Sequence, residues 1–390
     1  MTAAPPPCDL SAIGRILVVK LDEVGDFVLA TPFLRGLRAA APQARILLAV
    51  REAVADLAAT CPWVDGVVAP RPKEGGGIDF RGITPGGLAR FAECYRVGFD
   101  LVVVPRYDFD RHGAVTLAAN SRSPLVVGFS ERVTPWKAEG NRGFDRAFSH
   151  VLAPPPGRHE VEQNAALLEF LGAPPDLGPP ALALTDGDRA EAARLVGGAG
   201  GPRDLLVVAP GAASPRREYP ADRLAVAVAR LAAALDAHVA VLGTAAERKA
   251  AVLIGAALGD GPGGGQGGGF TDLTGATGLR VAAAVLERAF LAVAMDSAPA
   301  HLAAAVGTPV AVFSCHPLDG DPTHVHAPDR FRPWTGGAQG GRVLVLRPDA
   351  ALAPCATSCL AAEAHCIATI DPTAAAERIV AFTEAARKGE

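Results

Sequence analysis

From Arg15 onward, short runs of aliphatic and β-branched residues alternate with Ala/Leu-rich stretches of helical periodicity, and this alternation leaves few folds open. Each strand candidate is followed by enough helix-patterned chain for a crossover, which is the rhythm of a parallel sheet covered by helices on both faces. In the first half the strand candidates are Arg15–Leu21, Arg45–Val50, Gly66–Val68, Leu101–Val104 and Leu125–Gly128. Their largely apolar character suits burial on both sides. Helical periodicity fills Asp26–Ala40, Glu52–Ala59, Gly87–Tyr95 and Val161–Leu171. The stretch GAPPDLGPP (Gly172–Pro180) breaks any regular element and reads as a linker. A second series follows, with strands near Leu205–Ala209, His238–Leu242, Leu291–Met295 and Val310–Phe313. Helices near Asp222–Ala234, Ala245–Ala257, Leu279–Arg288 and Pro299–Val306 separate them.

The expectation is an α/β chain of two Rossmann-like, doubly wound parallel-sheet domains facing a central cleft, with ligands beyond the carboxyl ends of the strands. Residues 1–178 make the first domain and residues 179–370 the second. A final helix in 371–390, after Pro372, is expected to pack back on the first domain. Gly261–Gly269 (GPGGGQGGG) reads as a flexible surface insertion.

Composition removes several classes of function. Hydrophobic residues make up 49% and charged residues 20%, so a packed core is available and wholesale disorder is excluded. A formal charge of −4 argues against a nucleic-acid footprint. No uncharged apolar stretch is long enough to span a bilayer, and the N-terminus lacks the pattern of a signal peptide. Seven cysteines, an odd number in a large chain, point to a reducing cytoplasm.

Two places carry chemistry. The first is the turn after the opening strand, where Gly25-Asp26 starts the next helix without a G-x-G-x-x-G fingerprint. Asp at a helix start is commonly an N-cap. It can also be a general base that takes the proton from a sugar hydroxyl. Asp22, on the preceding loop, is the weaker competitor, and Gly25 suits a sharp turn or a close substrate approach. The second place is built from two strand ends. LLVVAPGAASPRREYP (Leu205–Pro220) supplies Gly211, Ser214, Arg216 and Arg217, and paired arginines can clamp a diphosphate. LAVAMDSAPAHLAAAVGTPVAVF (Leu291–Phe313) ends a strand at Asp296 and opens a helix with Ser297 as N-cap, followed by Ala298, Pro299, Ala300 and His301. A helix N-terminus at a strand's carboxyl end is a ready anion site. His301 reads more readily as structural than as a ligand.

Taken together, the strand–loop–Gly-Asp–helix with Thr31-Pro32, the PGA…R-E-Y-P segment and the D-S-A-P-A-H-L-A-A-A-V-G-T-P-V block resemble the ADP-heptose:lipopolysaccharide heptosyltransferases, glycosyltransferase family 9. The likeness runs from about Arg15 to Val380. It implies a GT-B fold, an acceptor on the first domain, a nucleotide-diphosphate sugar (ADP-heptose) on the second, and inverting transfer without a metal or other cofactor. It further implies that Asp26 is the catalytic base, that Arg217 stands where the family usually has a phosphate-binding Lys, and that Asp296 with the backbone after it holds the donor. A glycan or glycolipid acceptor would bring a cytoplasmic enzyme into peripheral contact with the inner face of the membrane.

The chain departs from the family pattern at Ala213, at Ala298 and in Phe313-Ser314-Cys315-His316-Pro317. Two rivals therefore stand beside the main reading: a transferase using another nucleotide sugar and a small-molecule acceptor, and a non-catalytic nucleotide-sugar-binding relative.

Other clusters read as bland. Cys355, Cys359 and Cys366 with His365 suggest packed or surface thiols in preference to a metal site. The triplets Asp108–Asp110, Asp186–Asp188 and Asp319–Asp321 are expected by chance in an Asp-rich chain. The basic residues Arg106, Arg111, Arg122, Arg132, Lys137, Arg142 and Arg146 are expected to form a solvated face.

Overall fold

The computed structural model describes residues 6, 8–73, 78–197, 204–259, 269–337 and 341–388. The anticipated insertion Gly261–Gly269 lies outside the described residues apart from Gly269. Two compact units divide the chain, Met1–Ala183 and Leu184–Glu390.

The first unit holds strands β1 (Arg15–Lys20), β2 (Arg45–Val50), β3 (Gly66–Pro72), β4 (Ile78–Gly82), β5 (Leu101–Val104), β6 (Val126–Phe129) and β7 (His150–Leu152). They lie in the order β4-β3-β2-β1-β5-β6-β7. Every neighbouring pair is parallel except the β3–β4 hairpin. The chain winds from β1 outward through β2 and β3, then returns to place β5 on the other side of β1. The β1/β5 junction is thus a topological switch point, where adjacent loops diverge and open a crevice. β1, β2 and β5 are buried almost throughout, as their apolar runs require.

Where the periodicity suggested one helix from Asp26 to Ala40, two are found: Val24–Leu29 and Thr31–Ala40. Pro32 is responsible. It has no N–H for the carbonyl of Val28, and its ring crowds that carbonyl. The Thr31 hydroxyl donates to Val28 O instead, at 2.7 Å. The Pro-rich linker belongs to the first unit because it is tied to the second of these helices. Arg35 forks onto Asp176 at 2.7 and 2.8 Å, and Ala181 N donates to Thr31 Oγ1 at 3.1 Å.

The second unit has strands β8 (Leu205–Ala209), β9 (His238–Gly243), β10 (Phe270–Thr274), β11 (Leu291–Met295), β12 (Val310–Phe313) and β13 (Val343–Leu346), ordered β10-β9-β8-β11-β12-β13. All its pairs are parallel, and its switch point lies between β8 and β11. The C-terminal helix Pro372–Lys388 buries Ala375, Ala376, Ile379 and Thr383. These residues add to the second unit's core, packing on the helix Ala221–Leu235 and on β13. The sequence reading sends this helix to the first domain; its main packing partners are in the second.

Candidate active site

After Arg15, β1 is apolar up to its last residue, Lys20, which is 1% exposed. A buried ammonium must be neutralised to stay charged. Lys20 Nζ lies 2.9 Å from Asp22 Oδ2 and 3.5 Å from Glu160 Oε1, and donates to Pro105 O at 2.8 Å. Across the switch point, Arg106 follows β5. Its Nη1 stands 3.1 Å from Asp22 Oδ1 and 3.5 Å from Asp26 Oδ1. Two cations and three carboxylates therefore share one partly buried cluster at the carboxyl ends of β1 and β5.

Within that cluster the two aspartates are pushed in opposite directions. Burial opposes the charge of Asp22, but Arg106 and Lys20 outweigh it and hold this carboxyl below its usual range. Asp26 is held more loosely, by Arg106 at 3.5 Å and by Glu23 N at 3.3 Å. Burial, reinforced by the negative charge of Asp22, raises it. Environments that separate two carboxyls in this way also separate their roles. Asp22 is a fixed counter-ion, and Asp26 is the more basic group.

Asp26 is the third residue of its helix and closes a capping box with Glu23. The N-cap reading of Asp26 is therefore corrected: Glu23 occupies the N-cap position, and Asp26, at the third helical position, accepts from Glu23 N. Gly25 lies in the first turn of that helix and is not among the described glycines with positive φ, so no sharp turn depends on it.

The second switch point brings its own residues together. Ser297 occupies the N-cap position of the helix Ala298–Ala305 but makes no side-chain cap. Its hydroxyl donates to Gly211 O at 2.9 Å, pinning the loop after β8 to the loop after β11. The first turn of that helix is consequently left without a side-chain cap, in keeping with an anion site. Arg217 Nη2 lies 3.1 Å from Asp296 Oδ2 and also donates to Asp296 O. Arg216 Nη2 stands 3.1 Å from His326 Nε2.

Three buried nitrogens here have no hydrogen-bond partner among the described residues: Arg216 Nε, Arg217 Nε and His301 Nδ1. Burial lowers His301 to about 4, so its ring is neutral at pH 7. A buried polar atom without a partner costs roughly 1–3 kcal/mol, so these three mark the turn as a candidate ligand site. A Cβ at Gly211 would fall 2.7 Å from the Glu247 carboxylate, which would have to move to admit it. Ser214 starts the 3-10 turn Pro215–Arg217, and its carbonyl accepts from Arg217 N at 2.9 Å.

A family model for glycosyltransferase family 9 (heptosyltransferase) matches residues 130–324, half of the chain. The chain belongs to glycosyltransferase family 9. Among curated proteins, none matches it. Three solved structures are similar to this family 9 chain at low identity. A family 9 glycosyl transferase from Veillonella parvula shares 21% identity with a TM-score of 0.66, covering 87% of each chain. ADP-heptose lps heptosyltransferase II of E. coli shares 18% with a TM-score of 0.65, covering 96% of this chain and 99% of its own. E. coli heptosyltransferase WaaC with ADP shares 15% with a TM-score of 0.61, covering 94% and 99%. The protein is a glycosyltransferase with two parallel-sheet α/β domains of the GT-B type.

In this family 9 glycosyltransferase the sequence reading missed Lys20, Glu160 and the role of Arg106. The signal for Lys20 was available: a lone charge inside I-L-V-V-K-L demands a buried counter-ion. The expected solvated basic face is corrected at two positions. Arg106 holds the carboxylate cluster, and Lys137 is buried, donating to Arg106 O at 2.9 Å and Phe129 O at 3.1 Å, with burial lowering it to about 8.

The Asp-x-Asp triplets do local work. Asp110 accepts from Ala114 N and Val115 N, Asp188 from Thr185 N, and Asp321 from Thr323 N. None of the triplets belongs to a metal-holding group among the described residues. No helix among the described residues is long and apolar enough to cross a membrane.

Proposed function

We propose that this glycosyltransferase moves a heptose from ADP-heptose to a hydroxyl of a glycolipid or other glycan acceptor, with inversion and with no metal in the chemical step. The observation that carries the donor half is the set of unpartnered nitrogens of Arg216, Arg217 and His301 beside the uncapped helix start at Ser297. Such a set fits a diphosphate, whose charge grows as the sugar leaves. In this reading Gly211, Ser214, Ala298, Pro299 and Ala300 surround the diphosphate, and Asp296, held by Arg217, accepts from a sugar hydroxyl. Asp26 acts on the acceptor, taking the hydroxyl proton as the oxygen attacks the anomeric carbon. A nucleoside diphosphate is a good leaving group, so one carboxylate suffices. ADP-heptose is the donor named for the first E. coli relative above, and family membership extends it to this chain as a proposal.

Two measurements test this reading. Arg217→Ala removes a charged donor from the diphosphate, and such bonds contribute about 1.5–3 kcal/mol. Donor Kd measured by calorimetry is expected to rise about 10- to 100-fold, and an unchanged Kd would dismiss the assignment.

The second measurement is the pH profile. A base must be deprotonated, so kcat/KM falls as pH drops through the Asp26 pKa. Because that pKa is raised, the acid limb is expected above the ordinary aspartate value of about 3.9. A limb at or below that value contradicts the role.

The rival of a non-catalytic binder is motivated by Ala213, Ala298 and the altered loop after Phe313. Sugar transfer or donor hydrolysis above background removes it. A transferase acting on a small-molecule acceptor is separated by a thermal-shift screen of nucleotide sugars followed by acceptor competition.

A further inference from the structure

The loop after β13 gathers four potential metal ligands that neither the proposed transfer nor the donor site uses. Cys355 Sγ, Cys359 Sγ, Cys366 Sγ and one ring nitrogen of His365 all lie within 4.8 Å of one another. His365 Nδ1 is 3.5 Å from Cys366 Sγ and 3.7 Å from Cys355 Sγ. A tetrahedral zinc with Zn–S near 2.3 Å and Zn–N near 2.0–2.1 Å sets its ligand atoms about 3.5–3.8 Å apart. The two sulfur–nitrogen separations therefore match the edges of such a tetrahedron.

Two further features fit metal-bound sulfur. Leu352 N donates to Cys366 Sγ and Leu360 N to Cys355 Sγ, both at 3.4 Å, the kind of outer-shell bond that orients a thiolate ligand. All three cysteines are free thiols, and an odd number in one cluster cannot be satisfied by disulfides alone. Cys359 and Cys366 are 2% and 0% exposed, so the cluster is embedded in the core and is not a chance surface gathering.

We infer that Cys355, Cys359, His365 and Cys366 form a closed, tetrahedral Cys3His zinc centre with a structural role. Three soft sulfurs and an imidazole in a four-coordinate set suit Zn²⁺ and leave no open position for chemistry. Binding would release one proton from each thiol and leave a centre of net charge −1, with the imidazole neutral.

The position suggests what the metal steadies. Thr357 O, inside the cysteine loop, accepts from Asp321 N at 2.8 Å, and Ile370 O, just past it, accepts from Tyr219 OH at 2.6 Å and Arg223 Nη2 at 3.0 Å. The 3-10 turn Cys366–Thr369 also packs on the turn Pro215–Arg217. The centre thus pins the loop after β12 and the arginine turn to the second core. The metal assignment does not depend on the reading of the donor.

The test is metal analysis of the full chain purified in reductant without chelator. We expect about one zinc per chain, with a tetrahedral cobalt spectrum and sulfur-to-cobalt charge transfer after exchange with Co²⁺. Chelator extraction is expected to lower Tm by roughly 5 °C or more, restored by added Zn²⁺. Cys355→Ser and His365→Asn, at the half-buried positions, are expected to lose most of the zinc while keeping the fold by circular dichroism. Zinc below about a tenth of an equivalent with no tetrahedral cobalt spectrum would overturn the proposal. So would full zinc retention in the Cys355→Ser/His365→Asn double variant, iron in place of zinc, or a disulfide among these cysteines in the protein as purified. None of these readouts involves sugar transfer, so failure here is distinct from failure of the proposed function.

Discussion

Replacing Asp26 by Asn is expected to lower kcat by about 10²–10⁴ while the protein stays folded, because the variant keeps the shape of the side chain and loses only its ability to take a proton. Asn can still accept from Glu23 N, so the capping box at the start of Val24–Leu29 is retained in part. The sign of the stability change follows from the direction of the pKa. A carboxyl raised in the folded state binds its proton more tightly there than when unfolded, so its ionised form works against folding at neutral pH. Removing that charge should therefore leave stability unchanged or slightly higher. The decisive experiment pairs single-turnover kinetics with denaturant melts: normal turnover in a folded Asp26→Asn protein would refute the base. A loss of turnover with unfolding would be met by Asp26→Glu, which keeps the carboxylate.

Lys20→Met should have the largest effect on stability, about 3–5 kcal/mol, since it leaves buried carboxylates without a cation. The methionine fills a similar volume, so the cost is electrostatic and not a cavity. Asp22 and Glu160, which Lys20 pairs in the native protein, would face one another's field with only Arg106 remaining. Pro105 O would lose its donor as well.

The deficit should depend on pH with a definite sign. The Asp22 carboxyl is lowered in the native state, so its stabilising contribution is present above the unfolded value of about 3.9 and is lost as pH falls through the folded one. Lys20 is raised by Asp22 and Glu160 against the opposing effect of burial, so its contribution holds below about 10.4 and is lost only at still higher pH. Between these limits the variant is expected to show its full deficit in urea melts. Towards pH 4 the stranded carboxyls protonate and the gap should narrow. A deficit under 1 kcal/mol at pH 7, or one that widens on acidification, would show that Lys20 does not hold the cluster.

Much of the architecture is legible in the chain because period-2 and period-3.6 patterns are local. β5, β8, β11 and β12 are uniformly apolar and β1 and β2 are apolar between their ends, and burial on both faces demands that pattern. The strands that escape notice lie at or near sheet edges. β4 reads I-D-F-R-G with an exposed pattern, β7 has three residues, and β10 mixes Thr and Asp into its run. β13 is a plain V-L-V-L, yet it follows a long irregular stretch that masks it. The split of Asp26–Ala40 into two helices was readable from Pro32 alone.

For the functional residues the division falls elsewhere. Asp26, Arg217, Asp296 and Ser297 stand out along the chain because strand ends followed by Asp, Ser or Arg mark the edge of a parallel sheet where ligands bind. Two doubly wound domains and a carboxylate at the first strand end were thus determined by residue order alone. Which of two neighbouring aspartates is the more basic was decided by folding: Arg106 lies far along the chain from Asp22, and only the β1–β5 register carries it there. The same holds for Ser297, whose hydroxyl turns from its own helix to Gly211, and for four soft ligands that look scattered until the loop after β13 folds back on itself. Electrostatic fields and coordination spheres depend on distances in space, and sequence spacing does not encode them when the partners arrive from different strands.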